Sequence, residues 1–274
     1  MTPTTPARFY QSASVLALVL LVSAVVSPAV ASNNDWNGFR GPDQDGAVAA
    51  PGLFEGETIG LAPAWSERLG SGYAGISVAD GKVFTMAAIA ENDVLVAVDV
   101  ERGVELWRYV AGPRTLGHDG SEDGPSPTPV IREGLLHGAS AAGRLFTLNA
   151  DTGEEVWSVD LLGEFDAELP PYDYVSSPAL IGDALVALAP KAPAGSLVAF
   201  DRRTGKHLWS AAPGNGEYSS PIAARLLERD QFIVWHEDKA EAVDPEGKSL
   251  WTVEFGPNSD GSPVVIENDK VLLK

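Results

Sequence analysis

No cysteine occurs anywhere in the 274 residues. That excludes disulfides, thiolate metal sites, a cysteine nucleophile and covalent haem attachment. Positive charge is also scarce: 19 Lys and Arg stand against 38 Asp and Glu, a net charge of −19. A basic patch is the electrostatic footprint of nucleic-acid binders, so that class of partner is excluded. Docking on anionic lipid heads is excluded for the same reason. An acidic surplus of this kind keeps a chain soluble and monomeric. The sequence also lacks a Gly-rich phosphate loop and a His-Glu-x-x-His metal motif.

Long apolar runs are nearly absent. The exception is Val15–Val26, 12 residues bounded by Pro28 and followed by Ala29-Val30-Ala31. Such a run is too short for a comfortable membrane span, which takes roughly 20 residues. With Arg8 ahead of it and small residues behind, it reads as a signal peptide over residues 1–31. The mature chain is thus expected in the periplasm or cell envelope, with no membrane span after cleavage.

What the sequence does contain is a Trp that keeps returning. It closes Ala97-Val-Asp99-Val-Glu-Arg-Gly103-Val-Glu-Leu-Trp107 and Leu148-Asn149-Ala-Asp151-Thr152-Gly153-Glu-Glu-Val-Trp157. It closes Ala199-Phe-Asp201-Arg-Arg-Thr204-Gly205-Lys-His-Leu-Trp209 and Ala242-Val-Asp244-Pro-Glu-Gly247-Lys-Ser-Leu-Trp251 as well. The steps between Trp residues are 50, 52 and 42. Periods of that length mark an array of one supersecondary unit. Each unit opens on a small polar lead-in (Thr128-Pro129, Ser177-Pro178, Ser220-Pro221, Ser262-Pro263), then shows short apolar runs separated by turn residues such as Asp80-Gly81. Four short strands per unit predict the blades of an all-β propeller, in preference to a solenoid or a β-sandwich. Gly153 and Gly205 supply the positive φ of a tight turn, whose Asp or Asn accepts bonds from the turn backbone. The Trp at a fixed place suits a repeated blade-to-blade contact.

Three divisions follow: the signal peptide at 1–31, an N-terminal segment with a partial blade at 32–72, and propeller repeats at 73–274. Four repeats are complete and the last is cut inside its second strand. Ala64-Trp65-Ser66 looks like the tail of an earlier repeat. Open sheet edges are a liability, so a ring must close. The ring is expected to be incomplete as given, the front of a longer protein; the alternative is a five-bladed ring closed by residues 53–67.

The motif Ala/Leu-x-Asp/Asn-x-x-Thr-Gly-x-x-x-Trp is similar to the pyrroloquinoline quinone (PQQ) repeat. The stretch Asp35-Trp36-Asn-Gly-Phe39-Arg40-Gly41-Pro42-Asp-Gln-Asp45-Gly46 resembles the opening of exported PQQ-like propeller proteins of the planctomycete-type group, as does Gly70–Met86. The resemblance implies a quinoprotein-type propeller. It carries two functional expectations. One is a non-catalytic scaffold of the envelope, as in the relative that assembles outer-membrane proteins and holds no quinone. The other is an alcohol or sugar dehydrogenase using PQQ and Ca²⁺. The dehydrogenases usually carry a vicinal Cys pair, which is missing here, and no segment aligns with their catalytic Asp and calcium ligands. The scaffold reading is therefore preferred, with no catalytic residue, metal ligand or cofactor assigned.

Candidate chemistry lies in two long loops, Ala111–Asp123 and Gly163–Asp173. The first holds His118, Asp119, Glu122 and Asp123, which offer a base with an orienting carboxylate, oxygen ligands for a hard cation, or simply a solvated acidic loop. The second, stiffened by Pro170-Pro171-Tyr172, offers Asp166, Glu168, Asp173 and Tyr174, an aromatic and acidic mix that forms either a binding rim for an envelope protein or a carbohydrate-like ligand, or a solvated loop with its Tyr packed on a blade edge. Asp43-Gln-Asp45-Gly46 lacks the later acid of a calcium loop and reads as a turn. Thr128, Ser177, Ser220 and Ser262 begin innermost strands, where small residues relieve crowding at the axis. His118, His137, His207 and His236 fall in different repeat registers, so no Ser-His-acid triad is indicated.

Overall fold

The computed structural model describes residues 35–47, 62–214, 216, 218–236, 239–254, 261–266 and 269–272. The signal-peptide segment 1–31 lies outside them. Four sheets of four antiparallel strands follow one another, each in sequential order. Blade 1 comprises β1 (Ser77–Ala79), β2 (Lys82–Ile89), β3 (Asn92–Asp99) and β4 (Glu105–Pro113). Blade 2 comprises β5 (Val130–Arg132), β6 (Leu135–Ala139), β7 (Arg144–Asn149) and β8 (Glu155–Asp160). After the short helix α1 (Leu161–Phe165), blade 3 has β9 (Ala179–Ile181), β10 (Ala184–Leu188), β11 (Leu197–Asp201) and β12 (His207–Ala211). Blade 4 has β13 (Ile222–Leu226), β14 (Arg229–His236), β15 (Lys239–Val243) and β16 (Ser249–Glu254). A fifth sheet has two strands, β17 (Val264–Ile266) and β18 (Lys270–Leu272). This is an all-β propeller with an open ring: among the described residues no strand pairing joins the fifth sheet to the first.

The sequence explains which strand goes where. Several middle strands carry unbroken apolar runs, such as Val94-Leu95-Val96-Ala97-Val98 and Leu197-Val198-Ala199-Phe200, which are buried. A strand covered on both faces needs no polar alternation, and here a neighbouring blade covers each face. The last strands alternate instead, leaving Leu106, Val156 and Leu208 about half exposed on the outside. The core is accordingly divided into slabs between blades, one around Phe84, Leu136 and Phe146 and another around Leu145, Leu185 and Phe200.

Two belts tie the blades together. The outer belt is the repeated Trp. Trp107 donates its indole N–H to Ala150 O of blade 2 (3.2 Å), Trp157 to Arg202 O of blade 3 (3.0 Å) and Trp209 to Pro245 O of blade 4 (2.9 Å). Trp65, ahead of blade 1, does the same to Val100 O (2.8 Å). Each ring lies on the turn glycine of the next blade, Gly103, Gly153, Gly205 or Gly247. A register shift recurs just before the turn in every complete blade, at Ala97/Val98, Thr147/Leu148, Ala199/Phe200 and Ala242/Val243. Such a bulge re-aims the side chains beyond it. The turn itself is held by Asp99, Asn149, Asp201 or Asp244, whose side-chain oxygen accepts two backbone N–H bonds of the turn. Blade 4 is one residue shorter here, so Gly247 N–H bonds Asp244 O three residues back where Gly153 bonds Asn149 O four back. The glycine still reaches its Trp.

The inner belt runs along the lead-ins. Gly75 N–H donates to Thr128 Oγ1, Thr128 N–H to Ser177 Oγ, Ser177 N–H to Ser220 Oγ and Ser220 N–H to Ser262 Oγ, each at 2.9 Å. The hydroxyls read from sequence as relief of crowding carry the hydrogen bonds from blade to blade at the axis. Ion pairs add to this: buried Arg202 reaches Asp183 in its own blade (2.9 Å) and Glu133 in the one before (2.5 Å).

Residues 35–47 form a strap across the inner strands. Trp36 O accepts from Val78 N–H of blade 1 (2.7 Å) and Asn37 O from Ile131 N–H of blade 2 (2.8 Å). The Gln44 side-chain oxygen accepts from Ala223 N–H of blade 4, and Arg40 donates to Pro263 O beside the fifth sheet (2.7 Å). No helix of the described residues is long and apolar enough to cross a membrane.

The clasp yields a matched pair of substitutions. Gly153 and Gly134 share a φ of +74°, but a Cβ on Gly153 would stand 2.6 Å from the Trp107 ring, whereas one on Gly134 meets nothing. Gly134→Ala is expected to cost about 1 kcal/mol for the backbone alone, and Gly153→Ala about 2–4 kcal/mol because overpacking adds to it. Urea unfolding of both variants measures the difference; equal costs would contradict the clasp.

Candidate functional site

The strands run so that the connections from one blade's last strand to the next blade's first all emerge on one face. The two longest loops meet there. The first, after β4, is anchored by Asp93 at the start of β3. This carboxylate is 1% exposed and accepts bonds from Thr115 N–H and the Thr115 hydroxyl. Burial pushes its pKa up, the Thr115 bonds oppose that, and the charge of Asp173 adds to the rise. The loop then closes on Asp123, which pairs with Arg114 (2.5 Å) and accepts from Gly117 N–H (2.8 Å). The Gly117 bond, with Arg114 beside it, holds Asp123 below the usual carboxylate range.

The second loop begins with α1, where the sequence reading placed only loop from Gly163. Asp160 caps the helix by accepting from Leu162 N–H, and Asp166 ends it with a left-handed φ of 52°. Asp166 is thereby a helix terminus, and Glu168 turns away to Lys191 (3.4 Å). Tyr174 packs inward: it is buried, with its hydroxyl on Leu188 O (3.0 Å) and its N–H on Ala141 O. Burial pushes its phenol well above the ordinary value.

The remaining candidates converge. His118 Nε2 lies 3.0 Å from Asp173 Oδ2, linking one loop to the other. The His118 and Tyr172 rings meet edge to face with centroids 5.8 Å apart, and Tyr172 donates its hydroxyl proton to Asp119 Oδ2 (3.1 Å). Tyr218, from the next connection, packs 5.9 Å from Tyr172 and accepts its N–H. On the other side Glu122 N–H donates to the Tyr73 hydroxyl (2.8 Å). Between them lies a cavity of about 140 Å³, lined by Tyr73, Thr115, His118, Tyr172 and Asp173. Tyr73 and Tyr172 are more than half exposed at its mouth, and Leu116 is 66% exposed beside them. Sequence reading treated the two acidic loops separately and missed Tyr73, Tyr218 and Asp93. The available signal was that Tyr73 and Tyr218 both stand four residues before an inner strand.

The other histidines are dispersed. His137 is fully buried in blade 2 with Nδ1 2.7 Å from Thr147 Oγ1; His207 lies on β12 near Ser210; His236 in blade 4 lies 3.6 Å from Glu241. Asp43 and Asp45 sit in the turn of the strap, where Asp45 accepts from Ala47 N–H (2.8 Å).

Among known proteins, residues 92–271 match the sequence profile of the family described as outer membrane protein assembly factor BamB. Methanol dehydrogenase [cytochrome c] subunit 1 of Methylorubrum extorquens is 26% identical over 234 residues, 74% of this chain and 36% of that protein. Quinohemoprotein alcohol dehydrogenase of Comamonas testosteroni is 26% identical over 196 residues, 69% of this chain and 25% of that one. The crystal structure of the latter shares the fold, with a TM-score of 0.64 at 18% identity, over 88% of this chain and 46% of that chain. The chain thus spans little more than a third, or less, of the curated relatives it matches.

His137 sets a pH dependence. Burial, helped by the charge of Arg202, lowers its pKa from 6.5 to about 3. Between those values the unfolded chain binds the proton and the folded one does not, so stability is full above pH 6.5 and falls as pH drops. Unfolding free energies at pH 7 and pH 5 are expected to differ by about 2 kcal/mol more in the native chain than in His137→Gln. Equal losses in the two proteins would remove His137 as the cause.

Proposed function

This chain belongs to the family described as outer membrane protein assembly factor BamB, and from that premise we propose that it is a non-catalytic binding protein of the periplasm or cell envelope. It presents the joined loop face to an envelope protein, with a carbohydrate-like ligand as the other class of occupant. The observation that carries this reading is the convergence of His118, Asp173, Tyr172 and Tyr73 around one cleft. Exposed tyrosines beside carboxylates give large contact area at low entropic cost and orient a polar partner through hydrogen bonds. The scaffold holding them is tied at both belts, so little of the binding energy goes into ordering loops.

The dehydrogenase relatives support a second reading, oxidation of an alcohol or sugar with PQQ and Ca²⁺. Calcium takes six to eight oxygen ligands. Among the described residues no three His, Cys, Asp or Glu side chains come together as such a set.

A photo-crosslinking residue at Tyr172 or Tyr73 tests the proposal in cells that produce the protein. Discrete cross-linked envelope species are expected from both positions and not from Leu227, which is 70% exposed in the β13–β14 turn of blade 4. Cross-links that do not distinguish the sites overturn the proposed face. Sustained, substrate-dependent dye reduction after addition of PQQ and Ca²⁺ overturns the non-catalytic reading.

A further inference from the structure

The strap meets the inner strands by a rule, and one blade breaks it. Val78, Ile131 and Ala223 are each the second residue of their inner strand, β1, β5 and β13. Each pairs with its second strand in the equivalent register: Val78 with Val83, Ile131 with Leu136, Ala223 with Phe232. Each turns its N–H toward the axis, onto Trp36 O, Asn37 O and the Gln44 side chain. Leu180 holds the same place in β9 and the same register, opposite Leu185. In an antiparallel ladder, residues in equivalent register point their N–H the same way. The Leu180 N–H therefore also faces the axis, yet among the described residues no strap oxygen meets it.

The reason is the path of the strap. Gly41 N–H bonds Gly38 O, Gln44 N–H bonds Gly41 O and Gly46 N–H bonds Arg40 O, so the strap turns on itself between blades 2 and 4. That turn lifts it from blade 3 and leaves a cavity of about 420 Å³ beneath. The cavity opens on the face opposite the joined loops, where each first strand ends. Leu180 and Ile181 form its floor, Arg132 of blade 2 one wall, Asp43 and Asp45 of the strap another, and Val265 adds apolar surface. The Arg132 guanidinium and the Asp43 carboxylate make no hydrogen bond or ion pair with other described residues, in contrast to Arg225 nearby, which is paired with Glu228 and Asp230.

We propose that this axial cavity is a binding site for a small zwitterion of the α-amino-acid class. Arg132 and the Leu180 N–H receive the carboxylate, since a guanidinium and an inward main-chain donor are the two groups that complement it. Asp43 and Asp45 receive the ammonium. The side chain of the ligand lies on Ile181 and Val265. The two strap carboxylates against one guanidinium disfavour a simple anion, and Arg132 disfavours a simple cation, so the site discriminates by requiring both charges.

L-Leucine is a suitable probe, with 4-methylpentanoate and 3-methylbutylamine as the same skeleton lacking one charged group each. Calorimetric titration of the full chain is expected to show saturable binding of leucine in the millimolar range or tighter, and at least about tenfold weaker binding of either analogue. The Leu180 amide signal is expected to shift on titration. Arg132→Gln is expected to remove the advantage of leucine over the amine, and Asp43→Asn to reduce its advantage over the carboxylate, with unchanged melting temperatures. The proposal is overturned by the absence of saturable leucine binding, by equal affinity for the three compounds, or by binding that ignores Arg132→Gln.

Discussion

The structure depends on one contact repeated around the arc: an indole laid on a glycine of the next blade with its N–H on a neighbouring carbonyl. The contact imposes demands at three levels of the sequence. A Trp must end each unit because only an indole combines so large an apolar face with a donor at its edge. A Gly must lie in the turn because the ring occupies the space of a Cβ and the backbone there has φ near +70° to +85°. A bulge must precede the turn so that the two meet. Each hydrogen bond is worth about 1 kcal/mol net, but the geometry matters more than the sum. A blade can be displaced only by breaking its clasp at the rim and its hydroxyl bond at the axis together.

That two-belt arrangement explains how the faces of the molecule differ. On one face, blades held at fixed spacing bring two long loops from adjacent connections into contact, and a buried Asp93 pins the first of them. On the other face the short turns leave the axis open, and the strap of residues 35–47 crosses it. The loops and the strap are irregular in sequence, and both borrow their order from the regular blades beneath them.

The repeat was legible in the sequence for a physical reason. The Trp, the Gly and the Asp or Asn of each turn are local demands met within a dozen residues, so Trp107, Trp157, Trp209, Gly153 and Gly205 declare themselves by spacing. Trp65 stood out for the same cause. The hydroxyl belt was not legible as a belt. Thr128, Ser177, Ser220 and Ser262 were visible as a repeated small residue, but their partners lie a whole blade away. Likewise His118 and Asp173 are separated by 55 positions and meet only because two blades stand side by side. Tyr174 reads in sequence like its neighbour Tyr172, yet one is core and the other surface, since a bend in the connection turns them opposite ways. The strap was least legible: a run of turn residues in sequence does not reveal which strands it will cross.

Hydrogen exchange at the indole N–H groups tests the clasp most directly. Followed by ¹H–¹⁵N spectra in D₂O, the signals of Trp65, Trp107, Trp157 and Trp209 are expected to persist far longer than that of a free indole. They are also expected to vanish together as denaturant approaches the unfolding midpoint, because each depends on the blade that follows it. Exchange of these four protons at the rate of free tryptophan in the native state would contradict the account.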